Sequence, residues 1–164
     1  MDITQPKKAD TENIRIHVIG KLEELDEDVQ KSIYDSMERT KENTGLILNI
    51  GFNYGGRAEI VKACKEIAEK VKEGQVKPEA ITEELFSSHM YTDGQPEPDL
   101  IIRTGGEYRT SNFLPWQSIY AEYYFPKVYW PAFSKEELVK AIEEYKTRKR
   151  NFGGSSENLS ELRR

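Results

Sequence analysis

The 164-residue chain is poor in cysteine, in long apolar runs and in repeats. Its one cysteine, Cys64, can form no disulfide within the chain, which suits a reducing compartment, so we expect a cytoplasmic protein. No apolar run approaches the roughly 20 residues that a membrane span needs. The first ten residues contain no apolar core of the kind found in a secretory signal.

An excess of positive charge is also absent. The chain has 24 Lys and Arg against 29 Asp and Glu, which gives a net charge of −5. Proteins that bind nucleic acids usually carry a basic surface, so the charge balance argues against a nucleic-acid partner. It leaves room for a local basic pocket that binds a small anion.

The composition is that of a folded domain. The chain is 37% hydrophobic and 10% aromatic, and its apolar residues recur with regular spacing, which argues against disorder. Its length fits one domain, since domains take roughly 100–200 residues. We expect a polar lead-in over residues 1–10, a single domain over 11–154 and a mobile tail over 155–164.

Apolar spacings typical of strands alternate along the chain with spacings typical of helices. Ile14, Ile16 and Val18 alternate with polar residues, as in a strand, and a nearly continuous apolar run typical of a buried strand follows at 46–52. The other expected strands and helices cover 26–40, 57–74, 78–90, 99–102, 120–125 and 134–153. This order predicts an α/β fold with a mainly parallel central sheet and helices on both faces.

Two of the predicted helices have specific features. In the helix over 57–74, Ile60, Cys64, Ile67 and Val71 share one face, so we expect Cys64 in the core. The last helix should begin with Ser134 as its N-cap, with a glutamate three residues later completing a capping box.

Two predicted strand ends carry residues suited to binding an anion, and ligands gather at such ends in open α/β sheets. One is followed by Asn53-Tyr54-Gly55-Gly56-Arg57, the other by the segment RTGGEYRTSNF over 103–113. The second contains Arg103, Arg109 and Ser111 together with two adjacent glycines. Arginine forks match phosphate oxygens, and glycines let backbone N–H groups approach an anion. This segment predicts a diphosphate site.

A carboxylate, Glu122, lies in the aromatic stretch that follows. Burying a carboxylate alone is costly, so Glu122 needs a partner. A magnesium ion shared with substrate phosphates would provide one. A salt bridge to an arginine would serve as well, and composition does not choose between the two.

Four segments together resemble the cis-prenyltransferases, the family of undecaprenyl and dehydrodolichyl diphosphate synthases. They are DLIIRTGGEYRTSNFLPWQSIYAEYYF, GFNYGGR, VYWPAF and RNFGG, and the similarity extends over about 14–154. The resemblance implies the fold of that family. It also implies that isopentenyl diphosphate is condensed onto an allylic diphosphate with formation of a cis double bond.

The resemblance implies roles for particular residues. Arg103, Arg109 and Ser111 match residues that hold isopentenyl diphosphate, and Glu122 matches a carboxylate that binds Mg²⁺. The strand that begins at Leu46 matches a wall of the product tunnel. A motif near the floor of the active site is matched by Asn53, Gly55, Gly56 and Arg57.

The same resemblance implies partners. It implies isoprenoid diphosphates as ligands and a homodimer, or a heterodimer with another cis-prenyltransferase subunit. Contact with a membrane would be peripheral at most and would come through the product.

The sequence departs from the family in one central feature. The Asp-Gly-Asn-Gly-Arg loop, which binds the allylic diphosphate and supplies the catalytic aspartate, does not occur in it. We therefore expect no complete catalytic set and little activity in this chain alone. Three interpretations stay open: a shortened synthase, a natural short subunit of a two-chain enzyme, and a non-catalytic accessory protein that binds diphosphate or stabilises a partner synthase.

Smaller departures lie nearer the end of the chain. Ala132 stands where the family's Trp-Pro-Asp-Phe motif has aspartate, and Asn151-Phe152-Gly153 stands in place of the closing Arg-x-Gly motif.

Overall fold

The computed structural model describes Ala9 and residues 11–148, and the chain divides into two compact units, Met1–Gln95 and Pro96–Arg164. The predicted tail over 155–164 and, apart from Ala9, the lead-in over 1–10 lie outside the described residues. So does the Asn151-Phe152-Gly153 segment.

The first unit is built on two parallel strands joined by a helix. Strand β1 (Arg15–Ile19) pairs with β2 (Ile47–Gly51), with Arg15 opposite Ile47. Helix α1 (Glu27–Thr40) connects them. The hydroxyl of Thr40, which is fully buried, accepts a hydrogen bond from the Ile16 N–H at 3.0 Å, so the end of α1 is tied to β1.

Helix α2 (Gly56–Lys72) follows β2, and its buried face differs from the predicted one. The buried residues are Gly56, Glu59, Ala63 and Ile67. Cys64, expected in the core, is exposed, so that prediction was wrong. Ile67 of the predicted face is buried, but the rest of the buried face is shifted toward Glu59, whose carboxylate accepts hydrogen bonds within the unit.

The single helix expected over 78–90 is two shorter pieces. A 3₁₀ turn, Pro78–Ala80, precedes helix α3 (Glu83–Ser87). Ile81 is extended, and the Thr82 hydroxyl accepts a hydrogen bond from the Leu85 N–H at 3.2 Å. Thr82 therefore acts as an N-cap that starts a new helix.

The second unit also contains a pair of parallel strands. Strand β3 (Leu100–Ile102) pairs with β4 (Glu122–Tyr124), with Leu100 opposite Glu122. Parallel strands accompanied by helices confirm the predicted α/β class. In the described residues, no helix combines the length and apolar character that crossing a membrane requires.

Helix α4 (Lys135–Thr147) begins as predicted and ends earlier than predicted. The Ser134 hydroxyl accepts a hydrogen bond from the Glu137 N–H at 3.4 Å, so Ser134 is the N-cap. The helix stops at Thr147 rather than near residue 153. Arg148 is extended, which directs its guanidinium group toward the carboxylate of Glu122.

Candidate functional site

A cleft of about 450 Å³ opens at the carboxyl end of β3 in the second unit. Its lining combines the three apolar side chains of β3 with two arginines, two threonines and an aromatic ring. These residues are Leu100, Ile101, Ile102, Arg103, Thr104, Arg109, Thr110 and Phe113. The cleft can therefore accept a ligand with both an apolar part and an anionic part.

Two of the predicted diphosphate residues, Arg103 and Arg109, line this cleft, and the third, Ser111, contacts Arg103 from outside its lining. Nη1 of Arg103 donates to the Ser111 hydroxyl at 2.7 Å and to the Arg109 carbonyl oxygen at 2.8 Å. Ser111 has a φ of 48°, a left-handed conformation that non-glycine residues rarely adopt. The loop thus curls around the guanidinium group of Arg103.

Glu107, which was not predicted as a site residue, connects the two arginines. Its Oε2 accepts from Nη2 of Arg103 at 2.5 Å, and its Oε1 lies 2.5 Å from Nη2 of Arg109. The Arg103 hydrogen bond, followed by the charge of Arg109, holds the pKa of Glu107 below its usual value. An acidic residue between two arginines was the sequence signal for this bridge.

The two glycines of the loop have a different function from the one expected. Gly105 and Gly106 have positive φ values of 91° and 70°. Their N–H groups donate to the carbonyl oxygens of Val128 and Pro126 at 2.8 and 2.9 Å, within the segment that follows β4. The glycines therefore turn the chain and join the two segments, and their amides do not point to an anion.

Glu122 has an arginine partner. Nη1 of Arg148 donates to its Oε2 at 3.1 Å and to the Tyr123 carbonyl oxygen at 2.8 Å, while Nη2 donates to Glu144 at 2.5 Å. Across the described ranges, no group of three or more His, Cys, Asp or Glu side chains could hold a metal ion. Because Mg²⁺ needs several oxygen ligands, these residues do not form a magnesium site by themselves.

The second predicted motif lies in the first unit, where β2 ends. Nδ2 of Asn53 donates to the Lys21 carbonyl oxygen at 3.1 Å and to Glu24 at 3.0 Å. Gly55 is the N-cap of α2, Gly56 is its buried first residue and Arg57 is exposed. These contacts assign Asn53 a role in holding the loop.

Leu46, the predicted tunnel residue, lies one position before β2. Its side chain is 64% exposed, and the β2 residue Ile47 is also exposed, at 42%. Apolar side chains at this strand are thus available to a further apolar partner.

A buried carboxylate of the first unit was missed entirely. Glu59 is fully buried in α2. Its Oε2 accepts from the Tyr54 hydroxyl at 2.6 Å and its Oε1 from the Tyr91 N–H at 2.7 Å. Glu59 therefore ties the Asn53–Arg57 motif to the segment after α3, a contact that no local sequence signal indicates.

Comparison with known proteins decides the family. The family model for undecaprenyl diphosphate synthase, a prenyltransferase, matches residues 2–153. The chain belongs to this prenyltransferase family. It is 50% identical over 151 residues to an isoprenyl transferase of Streptococcus thermophilus, covering 90% of this chain and 61% of that protein. An isoprenyl transferase of Streptococcus agalactiae is 51% identical over 154 residues, which cover 89% of this chain and 60% of that protein.

Solved structures agree with this family. A lavandulyl diphosphate synthase from Lavandula x intermedia, in complex with dimethylallyl diphosphate, matches with a TM-score of 0.87 and 34% identity over 90% of this chain and 64% of that one. A probable undecaprenyl diphosphate synthase from Campylobacter jejuni matches with a TM-score of 0.76 and 33% identity. The match covers 90% of this chain and 67% of that one. The predicted cis-prenyltransferase fold is confirmed. The chain spans about 60% of the length of the curated relatives it matches.

Proposed function

We propose that the cleft at the end of β3 binds isopentenyl diphosphate. We further propose that, with residues from another segment or chain, it takes part in condensing this substrate onto an allylic diphosphate. The observation that carries the proposal is the joining of Arg103, Arg109 and Ser111 beside an apolar strand. Guanidinium groups suit the diphosphate, and β3 suits the isopentenyl group.

In that reaction the allylic carbon–oxygen bond breaks, and its electron pair leaves with the diphosphate. The isopentenyl double bond forms the new carbon–carbon bond, and a proton then leaves from the isopentenyl unit. The residues of this cleft contribute binding and orientation, because holding one substrate in place removes part of the entropic barrier. We assign no residue of this chain to the proton transfer.

A magnesium ion would add positive charge near the leaving diphosphate. Glu122 would contribute one carboxylate, and it would have to exchange its contact with Arg148 for the ion. The remaining ligands would be phosphate oxygens and groups outside the described residues, so we derive no step through the metal.

We also propose that the protein works as a homodimer or as a heterodimer with another cis-prenyltransferase subunit. Large apolar side chains of the second unit support this, since Ile119 is 70% exposed and Tyr129 and Trp130 are each 74% exposed. The single cysteine supports a cytoplasmic location. Contact with a membrane would come through the apolar product.

A second candidate function is an accessory subunit that binds diphosphate or stabilises a partner synthase. The ion pair between Glu122 and Arg148 favours it, because that carboxylate is neutralised without a metal. The accessory function predicts ligand binding without chain elongation, whereas the synthase function predicts elongation once the remaining residues are supplied.

Titration calorimetry with isopentenyl diphosphate tests the binding site. Arg103→Ala and Arg109→Ala should each weaken binding at least tenfold, because each removes a charged hydrogen-bond donor worth about 1.5–3 kcal/mol. Arg39→Ala, in α1 of the first unit, is the matched control and should bind as the unchanged chain does. Equal affinity in all four proteins would refute the proposed site.

Incubation with isopentenyl and farnesyl diphosphates plus Mg²⁺ separates the two functions. Elongated product from this chain alone would exclude the accessory function. No product alone, followed by product after a chain with the Asp-Gly-Asn-Gly-Arg loop is added, would support a shared active site.

A further inference from the structure

The loop after β3 contains an ion-paired carboxylate that the proposed function does not use. We propose that Glu107 is a positioning residue that holds the Arg103 and Arg109 guanidinium groups in place for a diphosphate. This inference rests on the proposed binding function and deepens it.

The bridge is symmetric. Each carboxylate oxygen of Glu107 contacts one guanidinium group, both at 2.5 Å. Two arginine side chains that converge on one anion repel each other, and a carboxylate between them offsets this repulsion. Glu107 therefore fixes both the separation and the orientation of the two groups.

Arg109 depends on this bridge more than Arg103 does. The Arg103 side chain is 24% exposed, and the Ser111 hydroxyl and the Arg109 carbonyl oxygen also hold it. The Arg109 side chain is 61% exposed. Ordering a long exposed side chain at the moment of binding carries an entropic cost, and Glu107 reduces that cost beforehand.

The carboxylate holds the arginines without forming part of the cleft wall. Arg103 and Arg109 line the cleft, and Glu107 is not among the lining residues. An anion in the cleft would therefore contact Arg103 and Arg109 without contacting Glu107. This arrangement favours support of the two arginines over competition with the ligand.

Glu107→Asp separates geometry from charge. Aspartate keeps the negative charge but is one methylene shorter, so it cannot reach both guanidinium groups at their present separation. Pyrophosphate binding, measured by titration calorimetry on the full chain, should weaken by about two- to tenfold, the cost of ordering one long side chain. Glu143→Asp, at an exposed ion-paired glutamate of α4, is the matched control and should leave binding unchanged.

Coupling to Arg109 distinguishes positioning from a general loss of structure. In an Arg109→Ala background, Glu107→Asp should have much less effect on pyrophosphate binding than in the unchanged chain. In NMR spectra, the Arg109 Nε–H signal should move in Glu107→Asp, while the backbone signals of α4 stay in place.

The outcomes are distinct from those of the binding proposal. If Arg103→Ala and Arg109→Ala weaken binding but Glu107→Asp binds equally well or more tightly, the positioning function is refuted and the site stands. Equal effects of Glu107→Asp in both backgrounds would refute it too. If the unchanged chain binds neither pyrophosphate nor isopentenyl diphosphate, both proposals fall.

Discussion

Replacing Glu59 by alanine should strongly destabilise the first unit. The side chain is fully buried and accepts hydrogen bonds from the Tyr54 hydroxyl at 2.6 Å and the Tyr91 N–H at 2.7 Å. A hydrogen bond to a charged group contributes about 1.5–3 kcal/mol, so the two contribute about 3–6 kcal/mol. Removing the carboxylate also removes its own desolvation cost, which offsets part of this loss. We expect the free energy of unfolding to fall by about 2–4 kcal/mol.

Urea unfolding followed by far-UV circular dichroism measures this loss. Tryptophan fluorescence is less suitable, because Trp116 and Trp130 both belong to the second unit. Glu66→Ala is the matched control in the same helix, since Glu66 forms a surface pair with Lys62 at 2.8 Å. Such pairs contribute about 0.2–1 kcal/mol, so the control should change stability little.

Two further variants test the origin of the effect. Tyr54→Phe removes the hydrogen bond from the Tyr54 hydroxyl and should cost less than Glu59→Ala. The double variant should cost less than the sum of the two single changes, because they share one contact. Hydrogen exchange at the Tyr91 amide should accelerate in Glu59→Ala. A Glu59→Ala stability within about 0.5 kcal/mol of the unchanged chain, the range of ordinary surface substitutions, would refute the reasoning.

Four other changes have clear expected outcomes. Gly20→Ala should lower the free energy of unfolding by about 2–4 kcal/mol or prevent folding, as seen in a thermal melt, because φ is 136° and a Cβ would overlap the carbonyl oxygen of Phe52. Gly74→Ala, where a Cβ would meet nothing within 4 Å and φ is 73°, should cost only about 1 kcal/mol, and equal losses would contradict this account. The pKa of Glu107 lies below its usual value. Its bridge therefore contributes fully to stability above the glutamate pKa of the unfolded chain, and this contribution is lost as pH falls through the lower pKa of the folded chain. NMR titration of the arginine Nε–H signals should follow that loss, and signals that change only at neutral pH would contradict it. Arg148→Ala should lower the free energy of unfolding by about 1–2 kcal/mol, because it removes partly buried contacts with Glu122 and a backbone carbonyl. Urea unfolding followed by tryptophan fluorescence measures this loss. An unchanged unfolding midpoint would show that this pair contributes nothing to stability.

Local sequence patterns determined the element order and the diphosphate loop. The strands 15–19 and 47–51 lie within about a residue of their predicted limits, because the alternation and the apolar run are local signals. Arg103, Arg109 and Ser111 meet because nine residues that follow a strand and contain two glycines can fold back on themselves. The resemblance to the cis-prenyltransferases rested on this loop and on three other short segments.

The tertiary structure decided which polar side chains pair. Glu122 could have faced a metal or an arginine, and Arg148, 26 residues away, is the partner in this structure. Glu59 is buried where Tyr91, 32 residues away, donates a hydrogen bond to its carboxylate, whereas Cys64 is exposed. Hydrophobic spacing along one helix contains no information about such a donor. Charge and hydrophobic periodicity can therefore be read from neighbouring residues. Burial of a charged group depends instead on which distant group forms a hydrogen bond or ion pair with it.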